Sequence, residues 1–450
     1  MKLLALTAGA AEMYCGSCLR DNALAAALMA RGHDVVLMPI YTPTLTDEPN
    51  VSRERVFFGG ISVYLEQNVP LFRHTPAMFD RLWDSPAVLK LASKRQIKID
   101  PTFLGEMTVS MLKGADGYQR KEVDKMVRFL KHESKFDVAS LPFALLIGLA
   151  RPLKDALGCP IVCTLQGEDL FLDQLHEPWK AQARDLIRQA VRHVDHFIAV
   201  SEYYAKFMAQ YIGIPGERIS VVPLGISTDG HEAAPQRTAP PYTIGYFARI
   251  APEKGLHVLC DAYHRLRHRP DVPDTRLVAG GYLLAEHREY LAGCERRMRD
   301  WGLDGHFVYA GSPDRAGKLE LLRTFDVFSV PTTYADPKGL FLLEAMANGL
   351  PVVQPRHGAF PEIIARTGGG LLVTPEEPDA LADALRSLLV DRARAASLGA
   401  AAAAGVRAHY TVDQMAASAE TTFAKVSTSA RASISARATA DKTVDKELPR

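Results

Sequence analysis

Two acidic residues, Asp336 and Glu344, stand eight positions apart in a stretch whose pattern predicts a strand, a loop and a helix. The apolar run 326–330 predicts a buried parallel strand, and a helix is expected from about Gly339. In such a unit the helix begins at the carboxyl edge of the sheet, where free N–H groups favour an anion. Carboxylates suit sugar hydroxyls better than phosphate, so the stretch suits a ligand made of sugar, diphosphate and ribose. A capped surface helix with two incidental acids explains it equally well.

Two cations, Arg249 and Lys254, follow the predicted strand 244–247. The carboxyl ends of parallel strands meet at one edge, so we expect these cations near Asp336. An Arg fork and a Lys ammonium can stabilise the charge that develops on a departing diphosphate. Loop cations are usually only solvated. Here they coincide with the two acids, which favours a diphosphate site.

Length, charge and cysteine content bound the class of protein. The chain has 450 residues, enough for two or three domains with well-buried cores. Lys plus Arg total 53 and Asp plus Glu total 52, so no overall field favours nucleic acid as a partner. Six cysteines suit a reducing compartment better than a disulfide framework.

Alternating strand and helix patterns predict an α/β protein with two Rossmann-like, doubly wound domains that face each other across a cleft. The predicted parts follow the patterns along the chain. They are a first domain over residues 1–228 with an insertion at about 51–118, a linker over 229–242, a second domain over 243–408, a last helix over 409–426, and a disordered tail over 427–450.

The start of the chain resembles a signal peptide in its charge, apolar run and small residues. We reject that interpretation because residues 3–7 form the first strand of a complete β-α-β pattern. No apolar stretch reaches transmembrane length. A cytoplasmic protein is therefore expected.

One stretch of the first domain interrupts the alternation. Residues 55–58 and 61–66 flank Gly59-Gly60, which predicts a hairpin. Residues 69–98 form an aromatic, basic, helical pattern. Its simplest interpretation is a helical insertion that packs its own apolar stripe. The functional alternative is an acceptor site, or a weak peripheral contact with the inner face of a membrane.

Several motifs together resemble the family-4 retaining glycosyltransferases of GT-B fold. The resemblance covers most of residues 1–426, and it implies that the last helix, over 409–426, returns to the first domain. It implies transfer of a sugar from a nucleotide-diphosphate-sugar donor to a glycan, lipid or small-molecule acceptor, with no cofactor and no metal. The matching motifs are residues 245–255, Asp336-Pro337-Lys338-Gly339, and residues 343–353, 361–364 and 369–373.

The resemblance implies a role for each donor-side residue. Arg249 and Lys254 hold the diphosphate, Glu344 holds the ribose diol, and Asp336 contacts the donor sugar. Other donor-side positions are the backbone of Gly339 and Leu340 at phosphate, Lys338, His357 as a closing residue, and Gly311 and Ser312 where the family seats the base. Two positions depart from the family: Asp336 stands where Glu is usual, and Lys338 where an aromatic residue is common.

The first domain departs further from the family. Gln166 follows a buried strand where the family often has His, and Gln cannot titrate near neutrality. Asp169 is a candidate for acceptor activation, although a helix N-cap explains it equally well. Gly16 and Ser17 stand in the expected Gly-rich loop, where the backbone can approach a ligand. One turn further on, Asp21 and Asn22 are candidates to face the acceptor.

Two other classes of function stay open. The departures at Asp336 and Gln166 are compatible with a degenerate protein that binds a sugar nucleotide without turnover. Cys15 and Cys18 form a C-x-x-C pair at a predicted helix start, which lowers a thiol pKa and occurs in thiol oxidoreductases.

Overall fold

The computed structural model describes residues 1–9, 16–44, 46, 48–58, 66–67, 101–133, 135–233 and 237–444. Contacts group the chain into two compact units. Unit 1 comprises Met1–Val200, Tyr204–Val222 and Met415–Arg450. Unit 2 comprises Ser201–Tyr203 and Pro223–Gln414. The predicted segment 69–98 lies outside the described residues.

Unit 1 contains a parallel six-stranded sheet in the order β2-β1-β3-β4-β5-β6. All five residues of β4 are buried, as expected of a parallel strand covered on both faces. The strands are β1 (Lys2–Thr7), β2 (Asp34–Pro39), β3 (Val138–Leu141), β4 (Ile161–Leu165), β5 (His196–Ala199) and β6 (Ile219–Val221). The helices of this half are α1 (Gly16–Ala30), α2 (Pro101–Leu112), α3 (Arg120–Lys131), α4 (Ala150–Leu157), α5 (Asp169–Gln174), α6 (Trp179–Ala190) and α7 (Glu202–Ile212).

Unit 2 contains a second parallel six-stranded sheet, in the order β12-β11-β10-β7-β8-β9. This is the Rossmann strand order, with the reversal between β7 and β10. Its strands are β7 (Tyr242–Phe247), β8 (Thr275–Gly280), β9 (Phe307–Tyr309), β10 (Val327–Phe328), β11 (Val352–Pro355) and β12 (Gly370–Val373). Its helices are α8 (Leu256–Arg267), α9 (Arg288–Asp300), α10 (Arg315–Arg323), α11 (Leu340–Ala347), α12 (Phe360–Thr367), α13 (Pro378–Val390) and α14 (Arg392–His409).

The last helix, α15 (Val412–Val444), is longer than the sequence predicted. Residues from Met415 onward group with unit 1, where Arg31 Nε donates to Glu420 Oε2 at 2.7 Å. The predicted disorder from 427 is wrong as far as Val444. No Gly or Pro occurs over 412–444, so local propensity continues the helix without an apolar stripe.

The hairpin predicted over 55–58 and 61–66 is wrong at the positions that the structure describes. Residues 55–58 form no strand, and Glu66 has helical backbone, while 59–65 lie outside the described residues. Phe57 and Phe58 are buried instead, and Phe58 N donates to Ile40 O at 2.9 Å beyond the end of β2. A half-exposed hairpin strand would alternate buried and exposed side chains, whereas these two consecutive aromatic side chains are both buried. In the part of the chain that the structure describes, no helix has the length and apolarity needed to cross a membrane.

Candidate active site

The strongest candidate site lies where the strand order of unit 2 reverses. β7 and β10 are parallel neighbours, so the loops that follow them leave the sheet side by side. Ligands of open α/β sheets bind at this point of reversal. The first loop carries Arg249 and Lys254, and the second carries Asp336.

Gly255 permits close contact between these two loops. Its φ is +73°, and a Cβ at this position would lie 1.8 Å from Pro331 O. No side chain fits there, so the two backbones touch directly. Thr333 N also donates to Glu253 O at 3.0 Å. The contact brings Lys254 against the second loop.

Lys254 and Asp336, predicted from separate motifs, form an ion pair. Lys254 Nζ lies 2.6 Å from Asp336 Oδ2. The hydroxyl of Tyr334 accepts from Lys254 Nζ at 2.7 Å and donates to Asp336 Oδ2 at 2.7 Å. The second carboxylate oxygen, Oδ1, accepts from the N–H groups of Lys338 at 2.8 Å and Gly339 at 3.0 Å. Both oxygens of the Asp336 carboxylate therefore have protein partners.

The electrostatics of this cluster keep Asp336 ionised. Its side chain is buried, with 3% of the residue exposed, and burial alone would raise its pKa. The Lys254 ammonium and the hydrogen bonds from Lys254, Tyr334 and Lys338 outweigh burial, so the pKa lies well below its usual range. Burial, and then the Asp336 charge, raise the pKa of Tyr334. The cluster is thus a charged Lys–Asp pair bridged by a neutral phenol.

Arg249 is the more exposed of the two predicted phosphate-binding cations. Its guanidinium pairs with Glu253 four residues later, and its side chain is 42% exposed. Its charge also acts on the Tyr334 hydroxyl, whose pKa it lowers slightly against the larger effects of burial and Asp336. Arg249 therefore belongs to the same part of unit 2 as the Lys254 pair.

Glu344 lies on α11 and pairs with a lysine that the sequence did not single out. Lys318 Nζ on α10 donates to Glu344 Oε1 at 2.8 Å. The Glu344 side chain is 23% exposed, so the protein covers it only partly. A carboxylate with one oxygen held by an ammonium can offer the other to a pair of vicinal hydroxyls.

The other donor-side predictions are only partly brought together. The Gly339 amide, expected at phosphate, already donates to Asp336 Oδ1, and Leu340 begins α11. Lys338 is half-buried and contributes its amide to Asp336. His357 is half-buried, with Nε2 3.4 Å from Thr332 Oγ1 and its ring against Phe360. Gly311 and Ser312 follow β9, which β8 separates from β7.

Unit 1 holds Gln166 and Asp169 at the carboxyl end of β4. Gln166 is 2% exposed, its Nε2 donates to Pro142 O at 2.7 Å, and its Oε1 has no partner within the described structure. A buried amide oxygen without a donor suits a ligand hydroxyl. Tyr204 OH donates to Asp169 Oδ1 at 2.6 Å, and burial raises the pKa of Asp169. A raised carboxyl pKa is appropriate for a general base.

Glu168, between them, has a structural role. Its carboxylate accepts from the amides of Ala144 at 2.9 Å and Gln166 at 2.8 Å, and from Tyr204 OH at 3.1 Å. Burial raises its pKa. It fixes the loop that carries Gln166 and Asp169. Within the described ranges, no three His, Cys, Asp or Glu side chains are arranged to hold a metal ion.

The candidates on α1 are more buried than an open acceptor site requires. Asn22 is 1% exposed, and its side chain holds the following loop through Pro49 O at 3.0 Å and Val51 N at 2.9 Å. Asp21 is buried and pairs with Arg20 at 3.0 Å. Asn22 therefore has a structural role rather than the predicted acceptor contact. Gly16 begins α1, and Ser17 is buried in its first turn.

Cys18 does not suit thiol redox chemistry, because it is fully buried at 0% exposure. Reactive thiols need access and an electropositive surrounding. Cys15, its predicted partner, lies outside the described residues. The described part of the motif thus gives no support to an oxidoreductase.

Comparison with known proteins identifies the family. Residues 111–229 match the model for Glycosyltransferase Family 4, and residues 231–404 match that for Glycosyl transferases group 1. The GDP-mannose-dependent alpha-(1-6)-phosphatidylinositol monomannoside mannosyltransferase of Mycolicibacterium smegmatis is 32% identical over 282 residues, which are 58% of this chain and 69% of the relative. The chain belongs to the family-4 glycosyltransferases of GT-B fold. The predicted family and fold class are confirmed.

A second curated relative is matched over less than two thirds of its length, whereas two solved structures share the fold over nearly the whole chain. The protein of the same name in Mycobacterium tuberculosis is 29% identical over 52% of this chain, and the match spans 63% of that relative's length. HepE of Anabaena in complex with UDP shares the fold, with a TM-score of 0.66 and 19% identity over 94% of this chain and 100% of the other. Sucrose-phosphate synthase of Thermosynechococcus elongatus has a TM-score of 0.69 and 16% identity over 94% and 98%.

Sequence analysis missed Tyr334, Lys318 and His231, which contact or lie beside the predicted site residues. Tyr334 precedes Asp336 by two positions, so a search for polar residues around the motif had a signal for it. Lys318 and His231 are distant in sequence from their partners. Only the folded arrangement brings them to α11.

His231 is buried next to α11 and predicts a pH-dependent stability. Asn348 Nδ2 lies 2.7 Å from His231 Nδ1, and burial lowers the pKa of His231 to about 4. The unfolded chain therefore takes up the proton first, near pH 6.5, and the free energy of unfolding falls as the pH falls from about 6.5 to 4. The linked loss is about 3 kcal/mol.

Urea unfolding at pH 7 and at pH 4.5 measures this effect. The His231→Gln variant should lose less stability than the wild type between these two pH values, whatever its stability at pH 7. His409→Gln, which removes an exposed imidazole, is the control and should follow the wild type. Equal pH dependence in His231→Gln and wild type would contradict the assignment.

Proposed function

We propose that the protein is a retaining glycosyltransferase that transfers a sugar from a nucleotide-diphosphate-sugar donor to an acceptor hydroxyl. The observation that carries the proposal is the Lys254 ammonium held at the reversal point of unit 2, beside the start of α11. GDP-mannose is the first donor to test, because several relatives are named as mannosyltransferases and two of those described above as GDP-mannose-dependent.

Arg249 and Lys254 would stabilise the departing diphosphate. Charge builds up on the leaving oxygen as the bond to the sugar breaks, and fixed cations in a partly dry site stabilise it most at that stage. Lys254 is 13% exposed in its side chain, whereas Arg249 is accessible enough to exchange Glu253 for a phosphate oxygen. Because two such cations would carry this role, we expect no metal at the leaving group.

Glu344 would bind the ribose diol through the carboxylate oxygen that Lys318 does not hold. Lys318 holds the other oxygen at 2.8 Å, which fixes the direction of the carboxylate. This contact is equally strong in the ground state and the transition state. It therefore contributes to donor affinity rather than to turnover.

Retention of configuration would follow from front-face transfer, in which the acceptor hydroxyl approaches on the side from which the diphosphate leaves. Double displacement needs a carboxylate against the anomeric carbon. Asp336 is poorly suited to that role, because both of its oxygens accept hydrogen bonds from the protein. The departing phosphate oxygen would then take the acceptor proton, with Asp169 of unit 1 as the alternative base.

The acceptor would be a glycan, a lipid or a small molecule that contacts unit 1. Gln166 Oε1, a buried oxygen without a donor among the described residues, would accept a hydrogen bond from a sugar hydroxyl. The role of 69–98 in a peripheral membrane contact, and a cytoplasmic location, stay predictions. The degenerate alternative differs in one respect: it binds the nucleotide sugar and transfers nothing.

A thermal-shift series tests the donor class. GDP, UDP and ADP are added at equal concentrations, and the nucleotide of the donor should raise Tm through mass action. At a nucleotide concentration of 100 times Kd, the free energy of unfolding should rise by about 2.7 kcal/mol. GDP is the expected ligand. The corresponding sugar nucleotide is then incubated with the protein, and NMR of the released or transferred sugar reports the anomeric configuration.

Arg249→Ala is the variant that should lose nucleotide affinity. The ion pair of Arg249 with Glu253 is exposed, so its removal should leave the fold intact. Arg296→Ala is the matched control: Arg296 forms an exposed pair with Glu289 elsewhere in unit 2. The nucleotide shift should vanish or shrink in the first and persist in the second. No shift with any of the three nucleotides in the wild type would refute the proposed function, and a shift without turnover would favour the degenerate alternative.

A further inference from the structure

Tyr334 and Phe341 surround the Lys254 ammonium, and neither belongs to the motifs that identify the family here. Lys254 Nζ lies 4.9 Å from the centre of the Tyr334 ring and 5.2 Å from the centre of the Phe341 ring. Ammonium groups within about 6 Å of an aromatic face are attracted by the ring. Tyr334, Phe341 and Asp336 are called the lysine cradle below.

The hydrogen bonds of the cradle use two of the three N–H donors of the Lys254 ammonium. An ammonium has three N–H donors. One points to Asp336 Oδ2 at 2.6 Å and one to Tyr334 OH at 2.7 Å. The Tyr334 hydroxyl donates its own hydrogen bond to the same carboxylate oxygen, at 2.7 Å, so the three groups form a closed ring. The third donor can then point in only one direction.

A lysine side chain normally loses up to about 2 kcal/mol of rotamer entropy when it is fixed. In this protein that loss occurs on folding, because hydrogen bonds and two rings already define the position of Nζ. A group fixed before the reaction needs no reorganisation as charge develops. The cradle therefore affects the transition state more than donor binding.

We infer that Tyr334 and Phe341 are positioning residues that aim the free N–H of Lys254 at the leaving diphosphate of a nucleotide sugar. The inference rests on the proposed function, since it assigns the aim of a residue within that site. Tyr334 acts through its hydroxyl and its ring, and Phe341 through its ring alone. Neither needs to touch the substrate.

Two variants, each made in the wild type and in a Lys254→Met background, test the inference. Tyr334→Phe removes the hydroxyl and keeps the ring, and should lower kcat about 10- to 50-fold with the donor KM changed less than about 3-fold. Phe341→Leu keeps both hydrogen bonds and should lower kcat about 3- to 10-fold. In a Lys254→Met background each change should have almost no further effect on kcat, because the group that it positions is gone.

Tyr263→Phe is the matched control. Tyr263 is a buried tyrosine of unit 2 whose hydroxyl donates to Thr275 O at 2.6 Å, away from the lysine cradle. It should lose a similar amount of stability and keep wild-type kcat. Thermal unfolding shows which variants are folded, and either cradle variant alone suffices for the comparison with Lys254→Met.

The outcomes separate this inference from the proposed function. Two results would overturn the positioning role while sugar transfer itself stands. One is wild-type kcat in the folded Tyr334→Phe and Phe341→Leu variants. The other is a fold-loss in kcat that is as large in the Lys254→Met background as in the wild type. Absence of transfer and of nucleotide binding in the wild type would instead refute the proposed function. A selective fall in kcat that disappears without Lys254 supports the inference.

Discussion

Replacing Lys254 with methionine will lower kcat about 30- to 1000-fold, because the departing diphosphate loses roughly 2–4 kcal/mol of stabilisation. Methionine keeps most of the volume between the rings of Tyr334 and Phe341 but removes the charge and the donors, so the buried Asp336 carboxylate loses its counter-charge and the variant should also be less stable. The effect should fall mainly on kcat, since the charge that Lys254 opposes is largest in the transition state. Steady-state kinetics with the donor found by thermal shift measures both constants.

The matched control is Lys154→Met in unit 1, where Lys154 Nζ pairs with Asp195 at 2.7 Å on a partly exposed surface. It removes a lysine ion pair of similar length without changing the proposed site. Its kcat should stay within about 2-fold of the wild type, as expected for a surface pair. Turnover by a folded Lys254→Met variant at the wild-type rate would show that the ammonium does not act on the leaving group.

The second large effect concerns stability rather than rate. Asp336→Asn should destabilise unit 2 by about 3–5 kcal/mol, because it leaves a buried ammonium without its carboxylate. The new amide also presents a donor or an oxygen where Lys254 and Tyr334 now meet a carboxylate. Urea unfolding at pH 7 gives the difference in the free energy of unfolding. Asp274→Asn, which breaks an exposed pair with Arg267, should leave the urea midpoint unchanged.

The pH dependence of Asp336 gives an independent check. Its pKa is lowered in the folded protein relative to about 3.9 in an unfolded chain, so the unfolded state binds the proton first as the pH falls. The contribution of the ion pair is therefore complete above about pH 4 and is lost progressively below it. The difference in the free energy of unfolding between the wild type and Asp336→Asn should therefore be smaller at pH 3 than at pH 7. A constant gap from pH 7 to pH 3 would contradict the ionised pair.

The part of this fold that depends on local patterning was predictable. Continuous apolar runs such as 161–165 identified the parallel strands, and Lys254 and Asp336 were expected together because both follow neighbouring strands at one edge. The direct contact between the loops that carry Lys254 and Asp336 was not predictable. It depends on Gly255, whose missing Cβ allows the loops to touch, and no periodic pattern reports that distance.

The residues that escaped prediction are those whose role depends on tertiary contact alone. Tyr334 resembles an ordinary loop aromatic until the loop after β7 brings Lys254 to its hydroxyl. Lys318 resembles a solvated helix cation until Glu344 of α11 lies beside it. The tail beyond 427 escaped for a different reason: low apolarity was taken to mean disorder, although its alanine and arginine content favours a helix. Asn22 was expected to face the acceptor because it lies one turn beyond the Gly16-Ser17 segment, but its side chain bonds to the loop at 49–51.

The ion pairs described above have a consequence for how a donor enters. Arg249 is matched by Glu253, Lys254 by Asp336 and Lys318 by Glu344, so each of these three cations already has a counter-charge. The formal charges of these six side chains cancel. For the proposed donor, a pyrophosphate would then gain little from these six charges at a distance and would have to replace a carboxylate, most readily Glu253, the partner of the more exposed Arg249. Discrimination against simple anions would then reside in partner exchange at short range, rather than in attraction from a distance.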